Sequence, residues 1–77
     1  MKAYVLIDVR PGEMNAVVRQ LRRLEHVREA HMTFGPYDAV AVIESDNISD
    51  LGKIIASQIQ PIPGVLETLT CLAVQDE

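Results

Sequence analysis

The residues best suited to chemistry in this chain are gathered in one short run, Thr33-Phe34-Gly35-Pro36-Tyr37-Asp38. Gly35 allows a backbone conformation that other residues resist, and Pro36 stiffens the turn. A rigid loop of this kind at a sheet edge can offer the Tyr37 hydroxyl, the Asp38 carboxylate and backbone amides to a small zwitterion. The same run also reads as an ordinary hairpin turn whose aspartate caps its own backbone. Thr68 and Thr70 alternate on one face of a later strand, where hydroxyls can bond a ligand or serve simply as good strand formers.

The remaining reactive side chains are scattered. His26 and His31 have no cysteine or carboxylate at metal-ligand spacing, so no metal site is expected. Arg19, Arg22 and Arg23 sit among Glu13, Glu25 and Glu29, which reads as a solvated helix surface. The sequence has no nucleophile elbow, no glycine loop for phosphates and no matched acid and base. Neither catalytic residues nor a cofactor are expected. Cys71 falls within a strand without an activating partner and reads as a small buried hydrophobe; as the single cysteine, it excludes an internal disulfide.

The elements that must carry these residues follow from periodicity. Lys2 to Val9 alternates Ala3, Val5, Ile7, Val9 with Tyr4, Leu6, Asp8, a strand apolar on both faces. Pro11 then stands at a first-turn helix position, Glu13 at the positive end of the dipole, and Met14, Val17, Val18, Leu21, Leu24 form one helical stripe. Val27 to Phe34 and Ala39 to Glu44 are strands joined so closely that they must be antiparallel neighbours. Asn47 and Asp50 open a second helix with the stripe Ile48, Leu51, Ile54, Ile55, Ile59. Gly52 weakens it by roughly 1 kcal/mol against alanine, either for close packing or as a tolerated defect. Pro61-Ile62-Pro63-Gly64 stops it, and Val65 to Val74 is the last strand.

This order is α+β, a ferredoxin-like βαββαβ with both helices on one face of a four-stranded antiparallel sheet. The chain has 77 residues, enough for one domain, 1–77, which buries only about 60% of its unfolded surface. With 48% apolar residues, surplus apolar surface falls on the bare sheet face, supplied by either Ala3, Val5, Ile7 or Tyr4, Leu6 together with members of the third and fourth strands. Such a face marks an interface. A homodimer joined face to face is expected, a dimeric α-β barrel or sandwich, with closed rings beyond it. The net charge of −4 argues against nucleic acid as a direct partner. No run approaches the roughly 18 apolar residues of a membrane span, and the absence of a signal-like start points to the cytoplasm.

The run from Val27 to Val42 resembles the hairpin of the Lrp/AsnC family of transcription regulators, with its glycine, variable residue, aromatic and aspartate. Pro63-Gly64-Val65 followed by Thr68 and Thr70 resembles the entry to that family's last strand. The resemblance covers essentially the whole chain. It implies the effector-binding and oligomerisation module, or RAM domain, of a regulator that dimerises through its sheets and builds tetramers or octamers, with an amino acid held between dimers. By position, Gly35, Tyr37 and Asp38 would line the pocket, and Thr33, Thr68 and Thr70 would stand near it. Backbone amides and hydroxyls would hold the ligand carboxylate, and Asp38 its ammonium. With the module starting at Met1, a stand-alone form without the family's helix-turn-helix is expected, assembling with itself or with full-length relatives. Two other readings remain: a small dimeric α+β-barrel oxygenase or isomerase, and a purely structural assembly module.

Overall fold

The computed structural model describes residues 1–74. The elements run β1 (Lys2–Val9), α1 (Met14–Arg23), β2 (Val27–Met32), β3 (Ala39–Glu44), α2 (Ile48–Ile54) with a π-helical turn at Ile55–Ile59, and β4 (Val65–Leu72). The four strands form one antiparallel sheet in the order β2-β3-β1-β4. This is the ferredoxin-like arrangement that the element order implies.

Pairing decides which residues share a face, because residues directly opposed across antiparallel strands project to the same side. Ala3, Val5 and Ile7 face Ile43, Ala41 and Ala39 on β3, and all six are fully withdrawn from solvent. Val17, Val18 and Leu21 of α1 join the same core, as do Leu51, Ile54, Ile55 and Ile59 of the second helical segment. Both helices therefore cover one face of the sheet. Complete burial of a side chain such as Leu21, Leu51 or Ile59 stabilises by about 1.5–3 kcal/mol.

The opposite face takes the other set. Tyr4 pairs with Val42 and Cys71, and Leu6 with Val40 and Leu69. Of the two candidate sets for the bare face, it is thus Tyr4 and Leu6 that lie there. Tyr4 remains 39% exposed and Leu69 49%, while Val42 is sheltered between its strand neighbours Tyr4 and Glu29. Cys71 is exposed on this face, so the expectation of a buried small hydrophobe is corrected. Alternation puts it opposite Tyr4, away from the helices, on an edge strand that nothing covers.

Several boundaries differ from those expected, each for a local reason. β2 stops at Met32 because Thr33 closes the turn: its N–H donates to the Asp38 carbonyl at 3.0 Å. β4 stops at Leu72 because its partner runs out; the Ala73 N–H reaches the Lys2 carbonyl at 2.9 Å, at the start of β1. Pro11 and Gly12 form a turn ahead of α1, since Gly12 adopts φ +87° and no helix can pass through it. Glu13 is the N-cap but makes no side-chain cap bond, and it pairs instead with Arg10 at 3.3 Å. Asn47 caps α2 as its type predicts, its side chain accepting from the Asp50 N–H at 2.9 Å. Ile48 is 58% exposed, so the buried stripe begins at Leu51. The helix then widens, with the Gln60 N–H bonding to the Ile55 carbonyl five residues back, and this keeps both Ile55 and Ile59 turned toward the sheet.

β2 is an edge strand, yet its outer side is not bare. The Arg22 guanidinium, reaching down from the end of α1, donates to the Ala30 carbonyl from Nε at 3.0 Å and Nη2 at 2.8 Å.

Candidate functional site

The run singled out by residue type is the β2–β3 turn, and Asp38 is the residue that fixes it. Its carbonyl accepts from Thr33 N–H, closing the hairpin, and its own N–H donates to the Ile7 carbonyl at 2.9 Å. Its carboxylate Oδ2 accepts the Val9 N–H at 2.8 Å. The β1–β3 ladder ends at Ile7 and Ala39, and just past that end a side-chain oxygen stands in for a ladder carbonyl. One residue thus stitches together the ends of β1 and β2 and the start of β3.

Thr33 is absorbed by the same turn: its hydroxyl donates to the Tyr37 carbonyl at 2.7 Å. Gly35 has φ +140°, a region that L side chains rarely adopt, although a Cβ there would meet nothing within 4 Å. Its role is conformational. Tyr37 and Asp38 are half-buried. The bonds of the turn use the Tyr37 carbonyl and Asp38 Oδ2, which leaves the phenol hydroxyl and Oδ1 outside them.

Thr68 and Thr70 sit elsewhere. They oppose Ile7 and Val5 on the far side of β1, two strand spacings from β3, or roughly 10 Å. The Thr68 hydroxyl accepts from Gln60 Nε2 at 3.2 Å, and Thr70 is exposed. Thr33, Gly35, Tyr37 and Asp38 therefore come together in one chain, and the two later threonines do not join them.

Two surface features were missed by the sequence reading. An apolar groove of about 300 Å³ lies beside the turn, lined by Met14, Met32, Thr33 and Phe34. It was hidden because Phe34 was assigned to β2, alternating with Ala30 and Met32; outside the strand, Phe34 is completely exposed, at 107%. At the other end of the sheet a polar cleft of about 620 Å³ is lined in part by His26, Arg28, Glu44, Asp46 and Lys53. Arg28 and Glu44 are ion-paired across it at 3.1 Å. Its signal lay in the charged residues that bracket Val27 and Ile43, which β2–β3 pairing brings together.

Groups that would serve an enzyme pocket beneath the helices point away from it. Asp8 and His31 lie on the helix-free face, His31 beside Glu29 at 3.1 Å. The space under the helices is filled by the aliphatic core. Among the described residues no cluster of three histidine, cysteine or acidic side chains is arranged to hold a metal. No helix among them is long and apolar enough to cross a membrane.

Residues 2–76 match the model of the Lrp/AsnC ligand binding domain. The chain belongs to the Lrp/AsnC family. Among relatives, the transcriptional regulator LrpA of Pyrococcus abyssi is 35% identical over 68 residues, which is 88% of this chain and 47% of LrpA. This Lrp/AsnC chain thus spans about half the length of the regulators it matches. A solved structure from Thermus thermophilus is 30% identical, covers 99% of this chain and 95% of its own, and superposes with a TM-score of 0.92. A transcriptional regulator from Neisseria meningitidis, solved as an L-methionine complex, has the same fold (TM-score 0.87, 97% of this chain and 50% of that one) at 10% identity.

Proposed function

We propose that this Lrp/AsnC domain is an effector-binding and assembly module that senses a free amino acid at the β2–β3 turn. The observation that supports this reading is the stitching of Asp38 to three strand ends, which fixes the turn while its bonds leave Oδ1 and the Tyr37 hydroxyl unused. A carboxylate can accept at several lone-pair sites, so Oδ1 takes the ligand ammonium while Oδ2 stays with Val9. Backbone N–H groups around Gly35 hold the ligand carboxylate. Thr33 positions the turn and does not touch the ligand.

One chain supplies half of such a pocket. Thr68 and Thr70 are too far from the turn of their own chain to share a small zwitterion with it, so they serve the turn of another copy or the walls of its pocket. The dimer forms through the face bearing Tyr4, Leu6, Val40 and Leu69, and dimers join into tetramers or octamers that place turns and threonines together. Full-length regulators of the family are further partners for that face. With a net charge of −4, the chain itself does not hold DNA.

Calorimetric titration with the common amino acids tests this. At least one should bind to wild type, and binding should fall at least tenfold in Tyr37→Ala. Silence from all of them while the oligomer remains intact refutes the sensor, and leaves a structural assembly module as the reading.

A further inference from the structure

We infer that the groove formed by Met14, Met32 and Phe34 receives the side chain of the sensed amino acid, and that the domain selects large apolar amino acids such as leucine, methionine and phenylalanine. The inference rests on the sensor reading above and deepens it, from a site for any zwitterion to a site for one class.

Asp38 and the backbone amides near Gly35 address the ammonium and carboxylate that every amino acid carries. They cannot tell one amino acid from another, so selectivity has to come from what the ligand's side chain meets. The Gly35 N–H follows Phe34 by one peptide unit, and consecutive Cα atoms are about 3.8 Å apart. A carboxylate held there leaves the ligand's Cα within one side-chain length of the groove, to which Thr33 and Phe34 of the same turn belong.

The groove exists because the core runs out before the hairpin does. Ala30 and Met32 lie two apart on β2 and project to the same side of the sheet. Ala30 is buried in the core, whereas Met32, beside the first helical residue Met14, is 52% exposed. The space left there is about 300 Å³, at the lower end of the range of about 300–1,000 Å³ found for small-molecule pockets. That suits a ligand of amino-acid size. None of the described residues that line it is charged, and the Thr33 hydroxyl already gives its proton to the Tyr37 carbonyl at 2.7 Å. An entering carboxylate, ammonium or amide would give up water and gain no partner. An aliphatic or aromatic side chain gains instead. Methionine walls adapt to its shape, and their sulfur makes favourable contacts at a ring edge. Phe34, exposed in the chain alone, is covered by it. Burying a side chain of this size is worth about 10–150-fold in affinity over one that does not reach the groove.

The test is calorimetric titration of wild type and Met32→Glu with leucine, methionine, phenylalanine, alanine, aspartate and lysine. Wild type should bind the first three at least about tenfold more tightly than the last three. Met32→Glu should weaken leucine and phenylalanine at least about tenfold but alanine less than about threefold, because a single methyl does not reach the groove. A second measurement on wild type needs no variant. The chain has three methionines, and with ¹³C-methyl labelling the ring of added phenylalanine should shift the Met14 and Met32 signals. The Met1 signal should stay in place, since Met1 lies by Ser45 at the far end of the sheet. Binding without the tenfold preference, Met32→Glu that binds leucine as wild type does, or Met14 and Met32 signals indifferent to bound phenylalanine would overturn the inference and leave the sensor reading standing. Silence from every amino acid defeats the sensor reading and the inference with it.

Discussion

Replacing Gly64 by alanine should destabilise this domain well beyond the ordinary effect of adding a methyl group to a turn. Gly64 has φ +100°, and a Cβ built there would lie 2.7 Å from Glu13 Oε1, 3.0 Å from Val17 Cγ2 and 3.2 Å from Glu13 Cβ. The left-handed backbone alone costs an L residue about 1–2 kcal/mol. The Glu13 carboxylate can swing away, but Val17 is fully buried and its Cγ2 can move only by shifting α1. Forced displacement in a packed core costs about 1–3 kcal/mol, so the total is about 2–5 kcal/mol. Gly35→Ala supplies the control, because φ is again positive at +140° but nothing lies within 4 Å of the new methyl. It should cost only the backbone part, about 1–2 kcal/mol. Urea unfolding and thermal melts of both variants at one fixed protein concentration measure the difference. With about 4–8 °C per kcal/mol for a domain this size, Gly64→Ala should melt at least about 4 °C below Gly35→Ala. Equal losses would mean that the strand entry and α1 are not in contact as described, and the reasoning fails.

Asp38 and Gly52 give two further checks. Asp38→Asn keeps an oxygen for the Val9 N–H and should preserve the fold while abolishing amino-acid binding by calorimetry, whereas Asp38→Ala strands that N–H and should lose about 1–3 kcal/mol in urea unfolding. Gly52 sits on the solvent side of α2 with open space around it, so Gly52→Ala should stabilise the chain by about 1 kcal/mol in the same assay.

The Gly52 expectation also shows where sequence reading reached its limit. Both readings of that glycine, close packing or a tolerated defect, were consistent with its place in the helix, and only the open space around a Cβ decides for the defect. The strands, helices and their order were readable because each carries an uninterrupted period: Ala3, Val5, Ile7 at two, Val17, Leu21 and Leu51, Ile55, Ile59 at helical spacing. Which face of β1 lay bare was not readable, since Tyr4 and Leu6 are as apolar as Ala3 and Val5; register against β3 and the helices decides it. Tyr37 and Asp38 were singled out as candidates by residue type and family resemblance. The bond from Val9 to the Asp38 carboxylate was not, because it joins residues 29 apart in the chain, just past the end of the β1–β3 ladder. Phe34 was misplaced for a related reason. Its alternation with Met32 is perfect for a strand, and only the Thr33 bonds end the strand before it.

The fork of Arg22 on the Ala30 carbonyl bears on how two copies of this domain can meet at the β2 edge. Hydrogen-bonded partners on β2 fall at odd residues, as Thr33 shows by bonding to Asp38, so the Ala30 carbonyl points outward from the sheet. An incoming strand seeking to extend the sheet there meets a carbonyl whose two lone pairs are already engaged and a positive charge beside it. Strand addition is thereby blocked along β2, and copies that meet across this edge must do so through side chains.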